Sequence, residues 1–292
     1  LKRLLLIDFF AVFHRARNAL LRSGRGLTTS LGTPTTGAYG FTNNLISQIK
    51  SLEPTHVVVC YDAGGNWRKN ENAEYKANRV KDDGDDTFFI ESRLVLDELL
   101  PAMGITATGI PGYEADDALY TLSKDATDFD EVVIFTCDQD ILQCVTDRVK
   151  VRLFNSAKKV TDMGPKEVQE KWGVKPQHVA LVKALCGDSS DNIKGIQGVG
   201  PKTAAKIVCD GYGVLENILK HPKIEKHKEK VKENLKLIRP TYITEYESTD
   251  YSDFLLGNST VKELRSVFEG LEFNAILRRI KNVGKMLKLP ET

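Results

Sequence analysis

No stretch of the 292 residues approaches the ~20 consecutive apolar positions of a membrane span, which excludes a helical membrane protein. There is no CxxC and no Cys/His pair at zinc spacing. The five cysteines (Cys60, Cys137, Cys144, Cys186, Cys209) are odd in number, far apart and set among apolar neighbours. A disulfide scaffold and a structural zinc are thereby excluded, and reduced core thiols in a cytoplasmic protein are expected. No repeat of fixed period is found. Nor is there an excess of charge of either sign, with 41 Lys+Arg against 40 Asp+Glu and a net charge of +1. That average hides an asymmetry. Residues 1–150 carry 16 basic and 22 acidic residues, net −6, whereas residues 151–292 carry 25 and 18, net +7. An acidic half joined to a basic half is a charge asymmetry that calls for an explanation.

What is present is a strand–helix alternation. The apolar start superficially fits a secretory leader. Asp8 interrupts it, however, and His14-Arg15-Ala16-Arg17 stands where a small-residue cleavage site belongs, so Leu1–Phe13 is read as a buried strand. Leu4–Ile7, His56–Tyr61 and Glu131–Cys137 are apolar runs ending at Asp8, Asp62 and Asp138, and Ile105–Ile110 is a weaker fourth strand. Helical patterns at Ala38–Leu52 and Phe88–Met103 lie between them, which predicts a parallel sheet covered on both faces. After Val149–Phe154 the periodicity is mostly helical, at Pro165–Trp172, Pro176–Cys186, Pro201–Asp210, Pro222–Ile238, Thr260–Glu269 and Phe273–Leu287. Several of these helices carry proline in the first turn, where its missing N–H costs nothing. The polar stretch Gly64–Asp86 is too long for an ordinary loop and reads as a functional insertion.

In a parallel sheet the carboxyl ends of the strands share one edge, where ligands bind. Asp8, Asp62 and Asp138 belong to that edge, as do Glu114, Asp116 and Asp117 at a helix start and Asp140 two residues after Asp138. Asp188 and Asp191, three apart in the second half, bring the total to nine. A single strand-end Asp is commonly just the N-cap of the next helix. Nine converging anions would raise one another's pKa and oppose folding unless met by cations. With no His or Cys among them, the match is Mg²⁺ or Mn²⁺. Two such ions ~3.5–4 Å apart activate water and stabilise the leaving oxygen of a phosphodiester.

The segment Gly195–Lys206 places Gly198 and Gly200 at turn positions and Pro201 at a helix start, so its amides can face a phosphate. Lys202 and Lys206 add positive charge one turn apart, as a DNA-backbone clamp requires.

Together these residues resemble the 5′-nuclease family of flap endonucleases, the 5′-nuclease domain of bacterial DNA polymerase I and the free-standing bacteriophage 5′→3′ exonucleases. Seven segments occur in the family's order: Ile7-Asp8 with Phe13 and Arg15; Asp62 with Trp67-Arg68; Glu74–Arg79; Glu114–Asp117; Asp138–Asp140; Gly187–Asn192; and the GVGPKTAAK hairpin. The resemblance implies an α/β, parallel-sheet, PIN-like nuclease core over 1–157, with a helical arch inserted at about 64–90. A helical DNA-binding region over 158–292 would then contain a helix–hairpin–helix at about 185–210.

It assigns Asp8, Asp62, Glu114 and Asp116 to one metal and Asp138, Asp140, Asp188 and Asp191 to the second, with Asp117 nearby. Lys76 and Arg79 reach the scissile phosphate from the arch, one helical turn apart. Arg15, Arg68, Tyr75, Gly198, Gly200, Lys202, Thr203 and Lys206 contact DNA, with Tyr75 stacking on a base. Two Mg²⁺ or Mn²⁺ ions and a K⁺ at the hairpin are the implied cofactors. The implied partners are DNA 5′ flaps, nicks and 5′ ends, and RNA–DNA hybrids, handled by a monomer in the cytoplasm (the host's, for a phage protein).

Phe9 departs from the glycine common after the first Asp. The absence of a following polymerase points to the free-standing, phage-like branch, and no clamp-binding motif is found. The lysine-rich segment His221–Arg239 and the stretch Arg278–Lys288, net +5, are candidates for further duplex contact. The resulting expectation is a replication or repair nuclease cutting by a two-metal mechanism. Its rivals are a catalytically silent junction-binding protein of the same fold and an acidic-site phosphatase, which would leave the hairpin unexplained.

Overall fold

The computed structural model describes residues 1–78, 86–156 and 159–292. Arg79 and the acidic run Asp82, Asp83 and Asp85 lie outside the described residues. The chain opens with β1 (Arg3–Asp8), α1 (Phe9–Arg22), α2 (Thr36–Leu52), β2 (His56–Cys60) and α3 (Trp67–Glu71). Next comes one continuous helical stretch formed by α4 (Asp86–Leu94), a π-helical segment Val95–Leu99 and α5 (Leu100–Ala102). The α/β half continues through β3 (Thr106–Thr108), α6 (Ala115–Asp125), β4 (Glu131–Thr136), β5 (Val149–Ser156) and β6 (Lys159–Met163). Helices α7 (Pro165–Trp172) and α8 (Val179–Cys186) lead into a two-stranded hairpin, β7 (Gly187–Asp188) and β8 (Ile193–Lys194), and then α9 (Pro201–Asp210). The remainder is α10 (Leu215–Ile218), α11 (Lys228–Ile238), α12 (Val261–Gly270), α13 (Asn274–Leu277) and α14 (Ile280–Met286).

The sheet order is β3-β2-β1-β4-β5-β6, parallel throughout except for the antiparallel edge strand β6. Alternate residues of β1 bury on opposite faces, as the pleat requires. Leu4 and Leu6 join a core with α6 to α9 and α11, whereas Leu5 and Ile7 join one with α1, α2 and α12 to α14. The sheet is therefore covered on both sides, as expected. The boundary near residue 157 does not separate two cores, because α12 to α14 return to pack on the N-terminal sheet.

Leu1–Phe13 is not one strand. The side chain of Asp8 accepts the backbone N–H of Ala11 and so caps α1, whose buried stripe Phe9, Val12, Phe13, Ala16 and Arg17 has helical spacing. The Phe273–Leu287 helix divides into α13 and α14 at Arg278–Arg279, and the helix predicted from Pro222 begins only at Lys228. Phe9 is fully buried and packs edge-on against Phe41 at 5.1 Å. No described helix is long and apolar enough to cross a membrane.

Candidate active site

Register sets the site. In the parallel pairing Asp8 lies opposite Cys60, and Ile7 opposite Phe135. Asp62 and Asp138, each two residues past its strand end, therefore emerge just beyond Asp8 at the same edge. The chain leaves β1 for β2 and β3 on one side and returns to β4 on the other, so Asp8 sits at a topological switch point. Asp8, Asp62, Glu114, Asp116 and Asp138, together with Lys76, line one cleft of about 250 Å³. Asp138, assigned by resemblance to the second metal group, thus stands with the first.

Several contacts hold these acids in place. Thr136 Oγ1 donates to Asp8 Oδ2 at 2.6 Å, so Asp8 is at once a helix cap and a site residue. The backbone N–H of Ala115 donates to Asp62 Oδ1 at 2.6 Å, tying the end of β2 to α6. The N–H of Asp140 donates to Asp138 Oδ1 at 2.8 Å. Burial pushes the Asp8 carboxyl up to about 7, with Asp138 and Asp62 adding to the rise. Burial, then Asp138 and Asp8, likewise raise Asp116 well above the usual carboxylate range. This strained charge cluster, built from oxygen donors, fits a hard divalent ion such as Mg²⁺ or Mn²⁺.

Because the folded pKa of Asp8 exceeds its unfolded value, the ionised carboxyl disfavours the fold. The penalty is absent below about pH 4 and complete above about 7. In EDTA, Asp8→Asn should therefore melt several degrees above wild type at pH 8. The difference should shrink as pH falls, and Mg²⁺ should reverse its sign. Equal melting temperatures across that range would contradict the assignment.

The second group was only half legible. Asp140 and Asp188 both accept from Lys183 Nζ, the latter at 2.6 Å. Lys183 is a buried residue of α8 that sequence reading missed. The available signal was a single cation inside the apolar run VALVKALC. Burial alone would raise Asp188, but Lys183 and the hydrogen bonds from Ser190 outweigh it and hold the carboxyl below its usual range. Asp191 accepts from Tyr75 Oη at 3.0 Å and stands 3.9 Å from Lys76 Nζ. Lys76 also pairs with Glu114, linking the two groups. Among the described residues no three acids close into a ready-made metal cage, and lysine ammonium groups stand between Glu114 and Asp191 and between Asp140 and Asp188. Lys183→Met should accordingly tighten Mn²⁺ binding at the second group about tenfold, by removing a competing cation. A Mn²⁺ titration read by electron paramagnetic resonance, with no DNA present, checks this, and an unchanged isotherm contradicts it.

Other expectations need correction. Arg68 does not face DNA. It is 2% exposed, and its guanidinium donates to both Asp117 oxygens at 2.7 and 2.8 Å and to Glu114 at 3.0 Å. Asp117, fully buried, is the counter-ion of Arg68 rather than a metal ligand, and it also accepts the N–H of Thr241 at 2.6 Å. Tyr75 is 3% exposed with its hydroxyl on Glu114 and Asp191, which leaves no face for a base. Lys76 is not on a helix: its φ is +55° in a turn, and its N–H donates to the Asp191 carbonyl at 2.9 Å. Asn78 and Asn192 pin that turn to the β7–β8 hairpin.

The helix–hairpin–helix forms as expected, from α8 through the hairpin to α9. Gly195 permits its close crossing, since a Cβ there would lie 2.2 Å from the Cys186 carbonyl carbon. Gly198 has φ +75° and open space on its outer side, and Gly200 caps α9. Lys202 and Lys206 are exposed beside it, with Thr203 half-buried. Arg15 is exposed on α1, its guanidinium on the Asn155 carbonyl at 2.7 Å. Part of the lysine-rich segment is engaged internally, Lys230 on the Gly195 carbonyl and Lys236 on Glu71.

Two family models match the chain: "5′-3′ exonuclease, N-terminal resolvase-like domain" over residues 3–173 and "5′-3′ exonuclease, C-terminal SAM fold" over 174–245. A 5′-3′ exonuclease of Aquifex aeolicus is 32% identical over 291 residues, covering 97% of this chain and 96% of its own. Thermostable DNA polymerase I of Thermus thermophilus is 37% identical over 284 residues, or 94% of this chain. The chain spans about a third of the length of that polymerase. The fold is similar to that of the bacteriophage T5 D15 flap endonuclease, solved as a pseudo-enzyme–product complex with DNA and metal ions. There the TM-score is 0.64 at 20% identity, covering 98% of this chain and 100% of the other. Matched end to end by a relative above 30% identity, and by family models over residues 3–245, the chain belongs to the 5′-3′ exonuclease family.

Proposed function

We propose that this chain is a structure-specific 5′ nuclease that hydrolyses DNA at 5′ ends, nicks and flaps as a monomer, and accepts the RNA strand of RNA–DNA hybrids. The observation that carries this reading is the meeting of acids from three parallel strand ends and α6 in one cleft, joined through Lys76 to Asp191 in the β7–β8 turn that leads into the Gly195–Lys206 segment. When bound, two divalent ions would neutralise the phosphodiester and lower the pKa of the attacking water.

Asp8, Asp62, Glu114, Asp116 and Asp138 are the side chains available to hold one ion, and Asp140, Asp188 and Asp191 the other. Thr136 and the N–H groups of Ala115 and Asp140 fix the orientation of Asp8, Asp62 and Asp138 before substrate arrives. The amides near Gly198 and Gly200, with Lys202 and Lys206, grip the backbone without reading sequence. A K⁺ ion, if held at this turn, would add positive charge for the DNA backbone.

Lys76 Nζ, held between the two acid groups, supplies positive charge where the pentacovalent phosphate develops it. Lys76→Ala should lower turnover roughly a hundredfold while affinity changes little. An effect confined to affinity would reduce Lys76 to a backbone contact. Arg79 belongs to the same proposal by its place in the motif.

Product mapping on 5′-labelled flap, nicked and RNA-primed substrates tests the whole reading. Cutting at the junction with Mg²⁺ and none in EDTA is the expected result. Tight junction binding without cutting, or hydrolysis of a mononucleotide analogue alone, would overturn it.

A further inference from the structure

A second cleft, of about 740 Å³, lies between the end of α2 and α14. It is far from the carboxylates. Its lining includes Glu53 and Pro54, which lead into the first residue of β2, whereas the acids follow the last. The five-residue strand separates the two by roughly 15 Å. The basic stretch Arg278–Lys288 is a candidate duplex contact by charge alone, but its Arg279, Lys285 and Lys288 line this remote cleft instead.

Its charge is one-sided. Lys50, Arg279, Lys285 and Lys288 face a single acid, Glu53. Among the described residues no carboxylate pairs with the three lysines, and Arg279 Nη2 donates to the neutral side-chain oxygen of Asn43 at 2.6 Å. Lys50 and Lys285 lie in the last turns of α2 and α14, where cations offset the helix dipole. Allowing about half a negative charge for each helix end still leaves a net of roughly +2 around the cleft. Like charges gathered in a concavity repel unless an anion joins them.

The floor has a different character. Ile46, Ile49 and Pro54 are buried beneath it, with Met286 half-buried at its side. No aromatic ring lines it, so single-stranded bases find no stacking platform. A duplex backbone would meet the cations but leave the aliphatic floor unused. A peptide carrying carboxylates around an apolar side chain uses both, and the volume suits such a ligand.

We propose that this cleft docks an acidic peptide segment of a partner protein, with an apolar anchor seated on Ile46 and Ile49. The test is fluorescence anisotropy of the full chain with a labelled peptide, Asp-Asp-Glu-Asp-Ile-Leu-Phe. Saturable one-to-one binding is expected. It should weaken at least about tenfold in the K285E/K288E variant, whose two sites are exposed and whose unfolding midpoint serves as the folding control. It should weaken similarly when serines replace the three apolar residues of the peptide. Failure of the peptide to bind, binding that survives K285E/K288E, or indifference to the serine replacement would overturn the proposal. So would displacement of the peptide by a blunt DNA duplex, which would return the cleft to the DNA track.

Discussion

Asp138→Asn should lower turnover on a 5′-flap substrate by at least about a thousandfold, several kcal/mol of transition-state stabilisation, while duplex affinity moves less than about tenfold. The substitution is close to isosteric. An Asn side-chain oxygen can still accept the N–H of Asp140, which Asp138 Oδ1 accepts at 2.8 Å, so the loop after β4 keeps its shape. What is lost is one negative charge at the point where it matters most. Asp138 is the neighbour that raises Asp116 most strongly after burial, and it also raises Asp8. It is therefore electrostatically in contact with both, across the switch point between β1 and β4. Neutralising it weakens the cluster's hold on a divalent ion, whereas the hairpin near Gly198 and Lys202 is untouched. Single-turnover cleavage set beside duplex binding measures the split. Turnover within tenfold of wild type would contradict the metal-ligand role, and an equal loss in binding would mean that Asp138 acts through the DNA grip.

Arg68→Ala should destabilise the protein by about 3–5 kcal/mol, the cost of leaving a buried charge unpaired. Besides Asp117 and Glu114, the Arg68 guanidinium donates to the carbonyls of Leu237 at 2.8 Å and Arg239 at 3.0 Å. One side chain thus fastens the segment after β2 to the start of α6 and the end of α11. Asp117, with no exposure to water, would be stranded. Arg68→Lys should recover less than half of the loss, because a point ammonium cannot replace a planar fork that serves two carboxylates and two carbonyls. Urea unfolding with an unchanged slope checks both values. A loss below about 1 kcal/mol would show the network to be superficial, and the original expectation of a DNA contact would regain its ground.

Arg68 also shows where sequence reading reaches its limit. The strands were legible because apolar, β-branched runs ending in Asp carry their own punctuation, and the acids at those ends share an edge in any parallel sheet. Helices α7 and α9 announced themselves by proline at the first turn, whereas Pro222 misplaced the start of α11. Roles that depend on distant partners did not. The motif shows Trp67-Arg68 and Tyr75 but not that Asp117, 49 residues on, or Asp191, 116 residues on, would bury them. A charged or aromatic side chain inside an inserted segment looks free to meet a ligand until the packing around it is known. Lys183 was overlooked for the converse reason: one cation in an apolar helix reads as a surface residue that snorkels outward. The edge strand β6, mostly exposed, has too little hydrophobic alternation to stand out.

The return of α12, α13 and α14 to the first sheet has a consequence for synthesis. The face of β1 and β2 formed by Leu5, Ile7, Val57 and Val59 is closed by residues as late as Leu287 and Leu289. The opposite face is complete by Phe254. At about 5–20 residues per second, that first face remains partly uncovered for seconds after the other has closed. On the ribosome the nascent chain would expose a sticky apolar surface beside an already assembled acidic edge, where chaperones that bind apolar segments would meet it.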